Sequence, residues 1–284
     1  MKQAIKYIRQ QLQNIYPAEE VQALIYLLLE KKHNMSKLDI CMGKDKIFST
    51  EERKEWEDIV KRLHNEEPVQ YILNEADFCG LCFKVTPDTL IPRPETAELV
   101  NWIIQDYSHL APSVLDIGSG SGCIAISISA ALPNAKVESW DISAAALDIA
   151  RFNNEKAGTS VTFNQQDILS NYLPQRELDI LVSNPPYITN SEKAEMSNNV
   201  LQWEPSTALF VSDKDPLIFY RAIAEYGCQS LKEYGSLYFE INRAYGNETV
   251  RLLEDMGYKN IILRKDLSGN DRMIKATFIK AAKS

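Results

Sequence analysis

The stretch Val114-Leu115-Asp116-Ile117-Gly118-Ser119-Gly120-Ser121-Gly122 runs from apolar residues with strand character into three glycines at alternate positions. Glycine lets the main chain turn sharply, and its missing Cβ lets a ligand approach the backbone closely. An apolar helical pattern follows at Ile124–Ala131. The stretch therefore predicts a strand, a ligand-binding turn and a helix in succession.

The same alternation extends along the rest of the chain, where helical patterns such as Ala144–Asn153 and Leu217–Glu233 separate further strand candidates. The seven strand candidates are Ser113–Ile117, Lys136–Trp140, Val161–Asn164, Leu178–Ser183, Ser236–Ile241, Ile261–Leu263 and Ile274–Ile279. This alternation predicts an α/β fold with a seven-stranded, mostly parallel sheet covered by helices on both faces. The last two strands follow each other without a helix, which indicates an antiparallel hairpin at one sheet edge.

The residues upstream lack this alternation. Apolar residues at helical spacing predict a small helical domain over residues 1–75, with Ser49 and Glu52 forming a capping box. Its composition differs from that of the remainder, so we expect it to recognise the substrate. Residues 94–284 then form the α/β domain.

Residues 76–93 should join the two domains. Asp77–Val85 is rich in aromatic and branched residues around a glycine, which predicts a hairpin. The segment Leu90-Ile91-Pro92-Arg93-Pro94-Glu95-Thr96 follows, and its prolines predict a stiff, extended connector. A helix should begin at Pro94 or Glu95, because proline is favoured in a first helical turn.

Composition narrows the class of protein. The net charge of −8 argues against a protein that grips a nucleic-acid backbone, so we expect no direct nucleic-acid partner. Five cysteines without a dense framework suit a reducing cytoplasm. The longest apolar run, Ala23–Leu29, is far shorter than the ~20 residues that span a bilayer. Cys79 and Cys82 lack a second ligand pair, so no metal site is expected.

The glycine spacing favours a particular ligand. The pattern is G-x-G-x-G, whereas the dinucleotide fingerprint is G-x-G-x-x-G. Asp116 places a carboxylate beside the turn, where it would repel a pyrophosphate and attract the amino group of an amino-acid moiety. A glycine-rich turn alone is often purely structural. Together with the acidic residues described next, it indicates S-adenosylmethionine rather than NAD.

Two further acidic residues follow the next strands. Asp141 ends the second strand and can accept hydrogen bonds from both ribose hydroxyls. Asp167 follows the third strand and can accept from an adenine amino group, while the backbone of Ile168 contacts the ring edge. The predicted cofactor-binding residues are Asp116, Gly118, Ser119, Gly120, Ser121, Gly122, Asp141, Asp167, Ile168 and Asn184.

Asn184-Pro185-Pro186-Tyr187 comes directly after a buried strand candidate. Because two prolines lock φ, this segment should form a rigid turn that presents the Asn184 side-chain carbonyl and the Pro185 backbone carbonyl in one direction. Those carbonyls can accept both protons of a planar NH2 group. Tyr187 can stack on the planar group or exclude water.

This geometry suits an amide substrate. An amide nitrogen is a poor nucleophile, so alignment and polarisation of its N–H bonds replace ordinary base catalysis. Asn184, Pro185 and Tyr187 are therefore predicted to be catalytic, and these three with Pro186 to bind the substrate. The simpler alternative is a strand-to-loop turn that happens to contain prolines.

Over nearly its whole length the chain resembles the HemK/PrmC family of peptide chain release factor glutamine methyltransferases. The resemblance is carried by Pro68-Val69-Gln70-Tyr71-Ile72, the proline-arginine-proline segment, the glycine-rich turn, Asn184 to Tyr187, Glu204-Pro205, Asp266-Leu267 and Asp271-Arg272. It implies a class I, Rossmann-like methyltransferase domain behind a helical substrate-recognition domain. The implied reaction transfers a methyl group from S-adenosylmethionine, leaving S-adenosylhomocysteine, to the glutamine of the Gly-Gly-Gln motif of release factors. A monomer is expected.

The chain departs from the family at three outer positions. Asn242 and Tyr245 stand where the family often has glycine and glutamine, and Ile168 stands where tryptophan is common.

Three alternative functions remain open from the sequence. They are glutamine methylation of a ribosomal protein, methylation of an amino group on a nucleic-acid base, and binding of the adenosyl ligand without turnover.

Overall fold

The computed structural model describes residues 2–42, 44, 47–171 and 173–280. The described residues divide into two compact units. The first comprises the described part of Met1–Asn74 together with Ser197–Trp203, and the second comprises Glu75–Met196 and Glu204–Ser284 as far as they are described.

The first unit is helical. Its helices in the amino-terminal part are α1 (Lys2–Leu12), α2 (Ala18–His33), α3 (Lys37–Cys41), α4 (Thr50–His64) and α5 (Val69–Leu73). They enclose a core that includes Ile25, Leu28 and Trp56. The predicted capping box is confirmed, because Ser49 Oγ accepts from Glu52 N and the Glu52 carboxylate accepts from Ser49 N.

The second unit begins with the confirmed hairpin of β1 (Glu75–Phe78) and β2 (Leu81–Lys84), and α6 (Pro94–Tyr107) starts at the predicted proline. The remaining elements are β3 (Ser113–Ile117), α7 (Cys123–Ala131), β4 (Lys136–Asp141), α8 (Ala144–Ala157), β5 (Thr162–Gln165), β6 (Leu178–Ser183), β7 (Ile188–Thr189), a 3-10 helix (Asn190–Glu195), α9 (Asn198–Trp203, in the first unit), α10 (Ser206–Leu209), β8 (Phe210–Val211), α11 (Ile218–Ser230), β9 (Leu231–Glu240), α12 (Gly246–Asp255), β10 (Lys259–Lys265) and β11 (Asp271–Thr277).

Within the described residues, the main sheet has seven strands in the order β10-β11-β9-β6-β3-β4-β5. The pairs from β9 to β5 are parallel, and β11 is antiparallel to both β9 and β10. The mostly parallel sheet and its antiparallel edge hairpin are therefore confirmed. Successive strand residues face opposite cores, so Val114 packs with α6 and α7 while Leu115 packs with α11 and α12.

The strand order reverses between β3 and β6. From β3 the chain proceeds outward through β4 and β5, and then returns to place β6 on the other side of β3. Ile117 pairs with Ser183, the last residue of each strand. Gly118 and Asn184 are therefore neighbours at the carboxyl edge of the sheet, which is the position where open α/β sheets bind ligands.

The expected boundary between the last long helix and the strand that follows it was wrong. The helical pattern predicted Leu217–Glu233, whereas α11 ends at Ser230 and β9 already begins at Leu231. Leu231 pairs with Leu178 of β6, and Tyr234 N and Gly235 O bond the backbone of Phe278. These long-range backbone bonds outweigh the local helical periodicity.

No helix among the described residues is long and apolar enough to cross a membrane.

Candidate active site

A cavity of about 410 Å³ lies at the carboxyl edge of the sheet in the second unit. Ten predicted site residues line it: Gly118, Ser119, Gly120, Ser121, Asp141, Asp167, Ile168, Asn184, Pro185 and Pro186. Three others, Asp116, Gly122 and Tyr187, are outside its described lining. The strand ends thus bring together most of the residues that sequence reasoning singled out.

The glycine turn, residues Gly118–Gly122, forms one wall of the cavity. Gly118 N and Ser119 N both donate to Trp140 O, at 2.8 and 3.0 Å. Gly118 and Gly120 have φ values of 90° and 51°, in the left-handed region that favours glycine. An added Cβ at Gly120 would meet no atom within 4 Å, so the missing side chain leaves backbone open to the cavity.

Asp116 and Gly122 support the glycine turn instead of lining the cavity. Ser139 Oγ lies 2.8 Å from Asp116 Oδ2, to which it donates, and 2.6 Å from Ser119 Oγ. Complete burial raises the pKa of Asp116 to about 7. A Cβ at Gly122 would lie 2.8 Å from the Ile126 side chain, so this glycine permits close packing of α7.

Asp141 ends β4 and faces the cavity beside the glycine turn. Its Oδ2 accepts from Gly120 N at 2.9 Å, and its Oδ1 accepts from Ser143 N at 2.8 Å. Burial raises the pKa of Asp141, and backbone hydrogen bonds from Gly120, Ser143 and Ile142 oppose this rise. Each oxygen keeps lone pairs for a further donor, as a ribose diol would supply.

Asp167 and Ile168 follow β5 at the same edge of the sheet. The backbone joins this segment to β4, because Gln166 N donates to Asp141 O at 2.9 Å. Asp167 Oδ1 accepts from Leu169 N at 2.9 Å, and the Ile168 side chain packs on the core beneath. The pair forms an edge of the cavity with one polar and one apolar face.

The asparagine turn, residues Asn184–Tyr187, forms the opposite wall. Asn184 Nδ2 donates to Thr96 Oγ1 at 3.2 Å, so one of the two protons on this amide nitrogen is already used. Thr96 Oγ1 in turn donates to Glu240 Oε2 at 2.6 Å. No described residue donates to the Asn184 carbonyl oxygen, which can therefore accept a hydrogen bond from a ligand.

Tyr187 is bonded to Glu240 and Arg272 behind the asparagine turn and is not among the residues that line the cavity. Its hydroxyl donates to Glu240 Oε1 at 3.1 Å and accepts from Arg272 Nη1 at 3.5 Å. Its backbone oxygen accepts from Asn242 Nδ2 at 2.9 Å, so one of the departures from the family supplies a clamp on the asparagine turn. Burial and the neighbouring Glu240 carboxylate raise the pKa of Tyr187 far above its usual value.

Sequence reasoning missed Thr96 and Glu240 as functional residues. Thr96 is 3% exposed in the first turn of α6, and Glu240 is 1% exposed at the end of β9. A carboxylate that ends the apolar run Leu237–Phe239 is a detectable signal for a buried, partnered acid. Its pairing with a threonine 144 residues away has no local sequence signal.

The loop after the asparagine turn is anchored at Glu204. Its buried carboxylate accepts from Ile91 N at 3.2 Å and pairs with Arg93. This contact ties the proline-arginine-proline segment to the cavity rim. Trp203 belongs to the first unit, where its indole donates to Asn65 O at 3.2 Å.

No group of three or more His, Cys, Asp or Glu side chains arranged to hold a metal occurs in the described part of the chain.

Two family models match the chain. The model described as PrmC N-terminal domain matches residues 3–73, and the model described as Methyltransferase small domain matches residues 96–203. A solved methyltransferase from Pyrococcus furiosus superposes with a TM-score of 0.52 at 16% identity, covering 70% of this chain and 89% of its own. This likeness shows the methyltransferase fold.

Full-length relatives are more specific. A protein of Bacteroides thetaiotaomicron named release factor glutamine methyltransferase is 52% identical, covering 97% of this chain and 99% of its own. A protein of the same name from Flavobacterium psychrophilum is 45% identical over 95% and 96%. The chain therefore belongs to the family of release factor glutamine methyltransferases.

Proposed function

We propose that this protein transfers a methyl group from S-adenosylmethionine to the side-chain amide nitrogen of the glutamine in the Gly-Gly-Gln motif of peptide chain release factors. One observation carries the chemical part of this proposal: Asn184 lines the same cavity as the glycine turn, its amide nitrogen donates to Thr96, and no described residue donates to its carbonyl oxygen. The relatives' shared name supports the choice of substrate over a ribosomal protein or a nucleic-acid base.

The residues present fit the cofactor. The backbone of Gly118 to Ser121 would hold the amino-acid moiety, and the Asp141 carboxylate would accept from the ribose hydroxyls. Asp167 and the Ile168 backbone would hold the adenine, while Asp116 and Gly122 keep the glycine turn in shape from below. Bound S-adenosylmethionine supplies an electrophilic methyl group on a sulfonium ion.

The asparagine turn would orient the substrate. Asn184 Oδ1 and Pro185 O accept the two N–H protons of the glutamine amide, which fixes the plane of the amide in the cavity. Pro186 lines the site and restricts water, while Tyr187 holds the turn in place through its bond to Glu240. These acceptors also stabilise the positive charge that grows on the amide nitrogen as the new bond forms, and the proton leaves afterwards.

The protein would act on release factors as a monomer in the cytoplasm, without direct nucleic-acid contact; the net charge of −8 supports the last point. Residues 1–75 would form the substrate-recognition domain, residues 76–93 the connector and residues 94–284 the methyltransferase domain. Full methylation of release factor by a chain lacking residues 1–75 would contradict the role given to that domain.

Methyl transfer from labelled S-adenosylmethionine to purified release factor tests the proposal directly. We expect label to enter wild-type release factor and to be absent from a release factor whose Gly-Gly-Gln glutamine is replaced by alanine. Equal labelling of both proteins would contradict glutamine as the acceptor. No labelling of either would reject release factor as the substrate.

A further inference from the structure

Two short chains of hydrogen bonds converge on Glu240 beneath the asparagine turn. Arg272 donates to Tyr187, which donates to Glu240, and Asn184 donates to Thr96, which also donates to Glu240. Glu240 and Thr96 are almost completely buried, so water cannot readily replace a partner in either chain.

The number of protons that each group can donate fixes which partner donates in each hydrogen bond. An ionised carboxylate only accepts, and a threonine hydroxyl has a single proton to donate. The 2.6 Å bond to Glu240 uses that proton, so Thr96 Oγ1 can only accept from Asn184. If the Asn184 carboxamide turned over, its oxygen would face a second acceptor across the 3.2 Å contact.

We propose that the carboxylate of Glu240, acting through Thr96, fixes which edge of the Asn184 carboxamide faces the cavity. Glu240 and Thr96 are thereby positioning residues for the methyl-accepting amide. The inference rests on the proposed function, in which Asn184 Oδ1 accepts from the substrate amide. With the carboxamide turned over, its amino edge would face the amino group of the substrate, and no hydrogen bond could form.

The surroundings of Glu240 provide for a buried charge. Thr96 and Tyr187 donate to its two oxygens, Arg272 adds positive charge from β11, and Glu95 on α6 opposes it. Burial raises the pKa of Glu240, and the first three groups lower it. The carboxylate is therefore held by partners from α6, the asparagine turn and β11, each of which gives it a donor or a positive charge.

Glu240→Gln is the decisive variant, because it keeps the shape and removes the charge. The Tyr187 hydroxyl accepts from Arg272, which leaves its own proton to donate to the oxygen of the new side chain. The new amino group then faces Thr96, whose freed proton turns toward Asn184 and reverses its carboxamide. We expect kcat for release factor methylation to fall at least about tenfold, with the Kd for S-adenosylmethionine changed less than about twofold.

Thr96 provides an independent test of the same relay, by which we mean the two hydrogen bonds that link Asn184 through Thr96 to Glu240. Thr96→Val removes the hydroxyl and should lower kcat to a similar degree, whereas Thr96→Ser should restore most of that loss. Thr249→Val is the matched control, since Thr249 is equally buried and its hydroxyl bonds, among the described residues, only the backbone oxygen of Tyr245, which directly precedes α12. We expect its kcat to match that of the wild type.

The double variant separates the relay from general damage to the fold. Once Thr96→Val has broken the relay, adding Glu240→Gln should lower kcat no further, because both changes act on the same carboxamide. Losses that multiply in the double variant, or wild-type kcat in Glu240→Gln, would overturn the inference alone. A wild-type protein that transfers no methyl group to release factor would overturn the proposed function and the inference together. If Thr96→Val fails to fold, Glu240→Gln decides alone.

Discussion

The glycine turn and the asparagine turn face each other across one cavity, and they are stabilised in different ways. The glycine turn is held by backbone bonds, chiefly to Trp140 O, and its shape comes from positive φ values within one contiguous stretch. The asparagine turn is held by side chains that arrive from α6, β9 and β11. The glycine turn should therefore be sensitive to changes at its own glycines, whereas the asparagine turn should be sensitive to the loss of a side chain that is distant in sequence.

The largest effect expected is on the asparagine turn itself. Asn184→Ala removes the side-chain acceptor for the substrate amide and should lower kcat by on the order of 10²–10³-fold. Steady-state methylation of release factor measures this, with calorimetry of S-adenosylmethionine binding to show that the opposite wall is intact. A variant with kcat near that of the wild type would show that the Asn184 side chain does not hold the acceptor.

A change beside the glycine turn should weaken cofactor binding and leave kcat nearly intact, which is the reverse of the effect expected for Asn184→Ala. Asp141→Ala removes acceptors for the ribose, each worth about 1.5–3 kcal/mol as hydrogen bonds to a charged group. We expect the Kd for S-adenosylmethionine to rise at least about tenfold, while kcat at saturating cofactor changes much less.

Asp148→Ala is the matched control for that variant, because Asp148 is exposed on α8 and pairs only with Arg151 among the described residues. Its cofactor affinity should equal that of the wild type. Unchanged affinity in Asp141→Ala, measured by calorimetry, would remove Asp141 from the proposed cofactor site.

The smallest effect expected is on the pH dependence of the free energy of unfolding, to which the buried Asp116 beneath the glycine turn contributes. The native Asp116 carboxyl holds its proton up to about pH 7, whereas an unfolded one loses it near 3.8. The native state therefore binds more protons between these values, so this group lowers the free energy of unfolding as the pH rises through that range.

Asp116→Asn should remove that dependence. Without cofactor, the variant should be more stable than the wild type above pH 7, and its advantage should shrink as the pH falls towards 4. Urea unfolding at several pH values measures the difference. An advantage that stays constant across this range would show that Asp116 does not carry the buried charge described here.

The same contrast explains how much the sequence could predict. The limits of β3 and β6 and the position of the glycine turn could be predicted, because apolar runs and glycine spacing are local signals. The pairing of Thr96 with Glu240 was not visible, since it joins residues 144 positions apart and depends on the sheet order. The early start of β9 was missed for the same reason.

Tandem mass spectrometry of release factor after incubation with this protein and S-adenosylmethionine is the sharpest test of glutamine methylation, because it assigns the added methyl group to a single residue. The geometry of the asparagine turn predicts a single methyl group on the side-chain amide nitrogen of the Gly-Gly-Gln glutamine. A methyl group on any other residue, or an unmodified Gly-Gly-Gln peptide, would contradict the account.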